Sequence, residues 1–381
     1  MLNIGIRFNK KDFEYDVYSL VKAFYPQGQV QIYYEDEEHT QEYEILLLVT
    51  YSNQEICLEI KKEDTRVFYQ QVSVDYEKDR KETKNVLKCL VYEALCEITG
   101  HTLPWGNLTG IRPTKIPTKL LEEGWKNVDI AKYLRDTYGV SREKTALAVA
   151  IANREKAVLE QLDYEKGYSL YVGIPFCPSI CLYCSFGSHP LERWKKRVDE
   201  YLDALCRELS FIADAMKGRS LNTVYIGGGT PTTLEPEQLR RLLGHIRDIF
   251  DFSQMKEYTV EAGRPDSITL EKLQVIREFP VTRISVNPQT MNQKTLDIIG
   301  RKHKVEDTVE IFQLARELGF DNINMDLIIG LPGEGKEEVE HTLREIRKLH
   351  PDSLTIHSLA LKRATRLNLF KDQYTEMSFE N

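Results

Sequence analysis

The chain has 381 residues, of which 41% are hydrophobic, and a formal net charge of −8. It is long enough for two domains or one large domain with an appendage, and its acidic balance argues against a general nucleic-acid-binding protein. The densest apolar stretch, residues 45–49, is far too short to span a bilayer, so we expect a cytoplasmic protein with no nucleic-acid partner and no membrane span.

Residues 1–165 predict a small α+β domain that continues into a helical linker. Strand-like stretches cover residues 3–8, 30–34, 43–51, 55–61 and 67–74, and a helical period runs from Phe13 to Phe24. A longer apolar helical stripe covers residues 83–99, and two further helices are expected at 128–138 and 142–161. The domain boundary is therefore predicted near residue 165.

Residues 105–114, within this first domain, are rich in turn residues. Arg112 lies in this stretch and Lys115 follows it directly. The stretch could be an anion-binding loop or a linker to the helices that follow, and we favour the linker.

From residue 166 to 381 apolar strands alternate with amphipathic helices, a pattern typical of a parallel sheet built from βα units. The predicted strands are residues 169–174, 223–227, 257–261, 282–286, 322–328 and 353–357. The predicted helices are residues 194–216, 236–250, 270–278, 304–318 and 335–349. A complete eight-unit barrel typically needs about 250 residues, so we predict an α/β fold with a partial barrel of six βα units.

Three cysteines lie within eight residues just after the first of these strands, as C-x3-C-x2-C at Cys177, Cys181 and Cys184. Thiolate sulfur is a soft ligand suited to zinc or an iron–sulfur cluster, whereas a disulfide would leave one cysteine over. Three ligands leave one iron of a four-iron cluster open to a small chelating molecule. The alternative is a zinc site completed by a distant ligand such as His189.

Polar or glycine-rich motifs follow nearly every predicted strand, where function collects in parallel βα folds. They are GGGTP at residues 227–231, Glu261, Asn-Pro-Gln-Thr at 287–290, Arg301, and Asp326 before GLPGE at 330–334. Each alone could be structural. Together they predict a ligand site around one rim, where a carboxylate such as Glu261 can accept hydrogen bonds from ribose hydroxyls.

The order of these motifs resembles the coproporphyrinogen III oxidase-like branch of the radical S-adenosylmethionine (SAM) superfamily, over about residues 168–360. Cys-Leu-Tyr-Cys-Ser-Phe at 181–186 and Leu-Thr-Gly-Ile-Arg-Pro-Thr-Lys at 108–115 are most similar to its oxygen-independent coproporphyrinogen dehydrogenase subgroup. The resemblance implies a partial radical SAM barrel with a [4Fe–4S] cluster and SAM as cofactors.

The resemblance also implies roles for individual residues. The cluster ligands would be Cys177, Cys181 and Cys184. The cluster-bound SAM would be held by Tyr171, Gly228 and Glu261. A second SAM would be held by Gly229, Thr230, Gln289, Arg301, Asp326 and Ala360, with Tyr183 beside them.

The function implied is oxidative decarboxylation of coproporphyrinogen III to protoporphyrinogen IX in heme biosynthesis, with flavodoxin or ferredoxin as the electron donor. The alternative within the branch is a heme-binding chaperone or a heme-processing protein. The chain departs from the family at Gly173, where a histidine is usual, and at Phe186, where some members have a cysteine. A methyltransferase or RNA-modifying radical SAM enzyme is a third class, which the acidic balance disfavours.

Two further features concern substrate binding. The basic stretch at residues 193–197 could bind substrate carboxylates, although a solvated first helical turn is the favoured interpretation. Only residues 361–381 follow the last predicted strand, so we expect that a C-terminal segment is missing or very short. Such a chain is expected to bind a cluster and cleave SAM but to turn over porphyrinogen poorly.

Overall fold

The structure, a computed structural model, describes residues 2–37, 41–52, 54–75, 79–360 and 365–369. The chain forms two compact units, Met1–Gln161 and Leu162–Asn381. The boundary predicted from the sequence lies near residue 165. Across the described ranges, no helix combines the length and apolar character that crossing a membrane would require.

The first unit contains a five-stranded sheet and two long helices. In chain order its elements are β1 (Asn3–Phe8), α1 (Glu14–Phe24), β2 (Gln29–Tyr34), β3 (Ile45–Tyr51), β4 (Glu55–Lys62), β5 (Thr65–Ser73) and α2 (Arg80–Thr99). The strand order is β2-β1-β3-β4-β5, with β1 parallel to both of its neighbours and the other pairs antiparallel. Alternate residues of β1, β3 and β4 are buried, and α1 and α2 contribute apolar side chains to the same core.

Three helices complete the first unit: α3 (Lys115–Glu122), α4 (Asn127–Tyr138) and α5 (Arg142–Leu159). They share a small apolar core that includes Leu121, Ile130 and Ala148. The sequence predicted α4 and α5 but missed α3. Pro117 lies in the first turn of α3, where a backbone N–H has no helical partner and proline is therefore tolerated.

The second unit is built on a sheet of six strands: β6 (Gly167–Ile174), β9 (Ser220–Gly228), β10 (Glu257–Gly263), β11 (Arg283–Val286), β12 (Ile323–Ile329) and β13 (Ser353–Ser358). A pair of two-residue strands, β7 (Phe176–Cys177) and β8 (His189–Pro190), lies between β6 and β9. The helices are α6 (Leu191–Trp194), α7 (Val198–Ala215), α8 (Pro236–Ile249), α9 (Leu270–Arg277), α10 (Gln293–Ile298), α11 (Val305–Glu317), α12 (Lys336–Leu349) and α13 (Arg366–Leu369).

The six long strands are all parallel and adjoin one another in chain order, β6-β9-β10-β11-β12-β13. Their inward-facing residues and the apolar faces of α7, α8, α9, α11 and α12 form one core. The predicted α/β fold with an open barrel of six βα units is confirmed. The helix predicted to begin at residue 194 is interrupted, because a 3-10 turn over Lys195–Arg197 separates α6 from α7.

Candidate functional site

A cavity of about 860 Å³ opens at the carboxyl edge of the six-stranded sheet. All thirteen residues predicted for the site line it: Tyr171, Cys177, Cys181, Tyr183, Cys184, Gly228, Gly229, Thr230, Glu261, Gln289, Arg301, Asp326 and Ala360. In parallel α/β sheets ligands bind at this edge. The volume is within the range of cofactor and small-molecule sites, about 300–1,000 Å³.

The three cysteines lie on the cluster loop, residues 175–190, which follows β6. Its two ends are joined by the pairing of β7 with β8, in which Cys177 lies opposite Pro190. Cys177 and Cys181 are buried and Cys184 is half-buried. Thr230 Oγ1 donates to Cys177 Sγ at 3.6 Å. Burial raises the pKa of the Cys177 thiol, so loading with iron must release its proton.

The centre of the cluster loop is held from both sides at Leu182. Its N–H donates to the Ile299 carbonyl at 2.9 Å, and its carbonyl accepts from the Leu367 N–H at 2.9 Å. Leu367 is 1% exposed and packs with Leu182 in a small apolar cluster. Of residues 361–381, which follow the last predicted strand, residues 361–364 and 370–381 lie outside the described residues.

His189, the fourth ligand suggested for a zinc site, does not line this cavity. Its side chain is exposed, and its ring packs 5.3 Å from that of Trp194. Within the described part of the chain, no group of three or more His, Cys, Asp and Glu side chains converges on a single metal-ion position, as a zinc site completed by His189 would require. The nearby basic stretch is exposed, with Arg197 paired to Glu200 at 2.9 Å, as expected for a solvated helical turn.

Gly229 brings the end of β9 against the cluster loop. Its N–H donates to the Ile174 carbonyl at 2.7 Å. A Cβ at this position would lie 2.7 Å from the Phe176 carbonyl oxygen and 3.0 Å from Cys177 Sγ. A side chain would therefore clash with the backbone of the cluster loop, and glycine permits this close approach of β9 to the first cysteine.

Tyr171 and Glu261 lie on neighbouring sides of the cavity and are linked by Tyr225. The rings of Tyr171 and Tyr225 stack at 5.8 Å, and the Tyr225 hydroxyl donates to Glu261 Oε1. Burial raises the pKa of Glu261, and the Tyr225 hydrogen bond opposes that rise. The hydrogen bonds of the described residues engage only one carboxylate oxygen, which leaves the other to accept from a ligand.

Gln289 and Arg301 carry buried polar atoms whose hydrogen bonds remain unmade among the described residues. These atoms are Gln289 Oε1 and Arg301 Nε. The backbone of Gln289 is left-handed, with φ of 70°. Two hydrogen bonds fix it: its N–H donates to the Asp326 carbonyl at 3.0 Å, and its carbonyl accepts from the Ile328 N–H at 2.9 Å. Arg301 Nη1 donates to the Asn287 carbonyl. Buried polar groups without partners are costly, and strained backbone concentrates at functional sites, so both side chains fit a polar ligand.

The remaining predicted site residues are Tyr183, Asp326 and Ala360. Burial raises the pKa of Tyr183, while the neighbouring Arg301 guanidinium lowers it. Asp326 Oδ1 accepts from Asn324 Nδ2 at 2.7 Å. Ala360 lies just beyond β13 and lines the same wall of the cavity as Leu359.

Arg264 also belongs to this site, although sequence reasoning gave it no role. Its side chain is 4% exposed and pairs with Asp266 through Nε at 2.9 Å and Nη2 at 2.6 Å. Its Nη1 donates to the Ser179 carbonyl at 3.0 Å and lies 3.9 Å from Cys181 Sγ. The guanidinium thus fixes the first half of the cluster loop. The sequence feature that could have identified Arg264 is its position, because it is a charged residue between Gly263 and Pro265, directly after a strand.

His303 was missed as well. It is 1% exposed, and neither ring nitrogen has a hydrogen-bond partner among the described residues. Burial, together with the nearby Arg301 and Arg264 guanidinium groups, lowers its pKa to about 4. The imidazole is therefore neutral at physiological pH and lies behind the two arginines of the site.

Comparison with known proteins agrees with this geometry. The model of the Radical SAM superfamily matches residues 171–346, which include the cluster loop and the strand ends that line the cavity. The chain carries a radical SAM domain. Domains of this superfamily use a [4Fe–4S] cluster and SAM. These two groups fit the three cysteines, the close approach of β9 to the cluster loop at Gly229, and the atoms of Gln289 and Arg301 that lack a hydrogen-bond partner among the described residues.

Three relatives place the radical SAM domain in one branch of the superfamily. The oxygen-independent coproporphyrinogen-III oxidase-like protein HemZ of Bacillus subtilis (strain 168) is 41% identical over 320 residues, which are 83% of this chain and 63% of HemZ. The heme chaperone HemW of B. subtilis is 39% identical over 198 residues, 52% of each chain. The oxygen-independent coproporphyrinogen III oxidase of Escherichia coli (strain K12) is 33% identical over 238 residues, 62% of this chain and 52% of the oxidase. The chain thus spans between half and two thirds of the length of these relatives.

The first prediction concerns Arg264 in the radical SAM domain. Arg264→Lys keeps the charge but loses the forked contact with Asp266 and the reach to Ser179. Losing a hydrogen bond to a charged group costs about 1.5–3 kcal/mol. We expect a lower urea midpoint and faster loss of iron from the reconstituted domain.

The control is Arg240→Lys, which alters an exposed pair with Glu278. Such surface pairs contribute about 0–1 kcal/mol, so this variant should unfold and retain iron like the wild type. Equal behaviour of the two variants would remove Arg264 from the support of the loop.

The second prediction concerns pH and His303. The unfolded chain takes up a proton on this residue below pH 6.5, whereas the folded protein does so only near pH 4. Stability is therefore lost as the pH falls from 6.5 towards 4, by roughly 1–3 kcal/mol between pH 7 and 5. His303→Leu should flatten the pH dependence of the urea midpoint over this interval.

His101→Leu, at an exposed position, serves as the control and should keep the wild-type slope. A wild-type slope in His303→Leu would show that the imidazole is not held neutral.

Proposed function

We propose that this chain is a radical SAM oxidoreductase that decarboxylates two propionates of coproporphyrinogen III without oxygen, giving protoporphyrinogen IX. The proposal is supported by the names of two relatives and by the composition of the cavity. The observation that carries it is a single cavity lined by the three cysteines together with Gln289 and Arg301, whose Oε1 and Nε atoms have no hydrogen-bond partner among the described residues.

These two atoms favour turnover over simple carriage. Tyr171, Gly228 and Glu261 suffice for the SAM on the cluster, so Gln289 and Arg301 are free to hold a second polar molecule. Two propionates require two hydrogen abstractions, and therefore two SAM molecules for each porphyrinogen. A protein that only carries heme has no such requirement.

The bound cluster and SAM supply a one-electron cleavage of SAM that produces a radical able to abstract hydrogen. Each propionate then loses one hydrogen atom from its β carbon, carbon dioxide from its carboxylate and one electron to a one-electron acceptor. A vinyl group remains. The reducing electron enters from a flavodoxin or ferredoxin, and the exposed ring of Phe186 on the cluster loop marks the face where such a donor can approach.

The residues of the chain position and shield the reactants. Glu261, oriented by Tyr225, accepts from the SAM ribose, and the stacked Tyr171 limits access of water from that side. Gly229 lets the end of β9 approach the cluster loop closely, so that Thr230 can donate to Cys177 Sγ. Arg301 keeps a buried positive charge at the wall of the cavity, where a carboxylate is stabilised.

The third prediction tests this function. The reconstituted chain is incubated anaerobically with coproporphyrinogen III, SAM and a reductant, and the oxidised porphyrins are followed by mass. We expect 5′-deoxyadenosine together with two successive losses of carbon dioxide and hydrogen. Cys181→Ala, which removes a proposed ligand, should abolish both products.

Slow formation of the decarboxylated products agrees with the poor turnover expected from the sequence, whereas cleavage of SAM with no decarboxylated porphyrin at all would contradict the proposal. Tight stoichiometric binding of heme in the same preparation, detected by its absorption, would then favour the carrier function named for HemW.

The fourth prediction concerns Glu261. Glu261→Gln keeps the shape of the side chain but replaces a charge-assisted hydrogen bond to ribose with a neutral one. We expect SAM affinity to fall about tenfold to a hundredfold, from a loss of roughly 1.5–3 kcal/mol, with the iron content unchanged. Equilibrium binding and the rate of 5′-deoxyadenosine formation measure this.

Glu257→Gln is the matched control, because Glu257 begins the same strand at the opposite edge of the sheet. It should bind SAM like the wild type. Unchanged SAM affinity in Glu261→Gln would exclude a ribose contact at this carboxylate.

A further inference from the structure

A second cavity, of about 440 Å³, lies in the first unit between α3 and α5. Arg112, Lys115, Thr118, Arg154, Glu155 and Val158 line it. Arg112 and Lys115 come from the segment whose sequence left an anion-binding loop and a linker as alternatives. This cavity shares no residue with the one that holds the three cysteines.

Its positive charge is uncompensated. Arg112, Lys115 and Arg154 form no ion pair within the described ranges, and the single carboxylate, Glu155, accepts from Thr118 Oγ1 at 3.2 Å. Two lysines on the same helices do form ion pairs: Lys119 pairs with Glu123 at 3.6 Å, and Lys156 pairs with Glu160 at 3.8 Å. In a chain of net charge −8, three unpaired cations at one cavity are unexpected for an ordinary solvated surface.

The cavity also has an apolar wall. Val158 is 62% exposed, although it lines the cavity with Leu159. An exposed aliphatic wall beside guanidinium and ammonium groups does not suit a small hydrated ion. It suits a molecule in which acidic groups project from an apolar body, because one face binds by hydrophobic contact and the other by forked hydrogen bonds.

We propose that this cavity binds a polycarboxylate with an apolar body, namely the tetrapyrrole of the proposed function held through its propionates. The choice of tetrapyrrole rests on that proposed function; the carboxylate chemistry rests on the three cations and the apolar wall. The first unit thereby acts as a holding site for substrate or product. Free phosphate offers the same oxyanion chemistry without the apolar body, and experiment can separate the two.

The experiment uses the reconstituted 381-residue chain and coproporphyrin III, the stable oxidised form with four carboxylates, followed by fluorescence. The wild type should bind two equivalents. The triple variant Arg112→Gln/Lys115→Gln/Arg154→Gln should lose one equivalent, or bind it at least tenfold more weakly, while cleaving SAM at the wild-type rate. Because all three residues are exposed, folding should be preserved.

The double variant Lys119→Gln/Lys156→Gln removes two paired cations from the same helices and should bind both equivalents. Two equivalents in the triple variant would overturn the proposal. Millimolar inorganic phosphate is added as a competitor. If it displaces one equivalent of porphyrin, and itself binds only when the three cations are present, the assignment of a tetrapyrrole is overturned in favour of a free oxyanion. Failure of the proposed function appears separately, as absence of vinyl product in the wild type; the wild type would then bind one equivalent, and the triple variant would lose it.

Discussion

The parallel pairing of six strands in chain order is the constraint on which the site depends. Since every strand runs in the same direction, all six carboxyl ends open on one edge of the sheet. Residues far apart in sequence, such as Tyr171, Glu261 and Asp326, therefore line a single cavity. A slip of one residue in the pairing of β10 with its neighbours would turn Glu261 from the cavity to the other face of the sheet.

Much of this could be predicted because the signals are local. The period-two and helical patterns locate the six strands to within a few residues. The motifs at the strand ends, together with the family resemblance that they carry, name thirteen of the residues that line the cavity. Several short elements were not predicted, among them α3 and the pair of β7 and β8. Helix α3 is short and contains Pro117, and proline in a sequence normally indicates the end of a helix. Only the structure shows that Pro117 lies in the first turn, where proline is tolerated. The pairing of β7 with β8 involves only two residues in each strand, too few for any periodic pattern.

Arg264 and His303 show what sequence patterns do not contain. The role of Arg264 depends on a bond to Ser179, 85 positions away in the chain, and no local motif encodes that contact. The low pKa of His303 follows from complete burial behind two guanidinium groups, a property of the packed domain and not of neighbouring residues. Likewise, the unmet hydrogen bonds of Gln289 and Arg301 exist only once the surrounding backbone is in place.

The anchoring of the cluster loop at Leu182 has a consequence for biosynthesis. The loop leaves the ribosome early, but its supports at Arg264, Ile299 and Leu367 are made later. Translation at about 5–20 residues per second means that the roughly 190 residues between the first cysteine and Leu367 take about 10–40 s. During that interval the three thiols are unanchored and open to oxidation, so iron delivery must either wait for the last segment or protect the nascent loop.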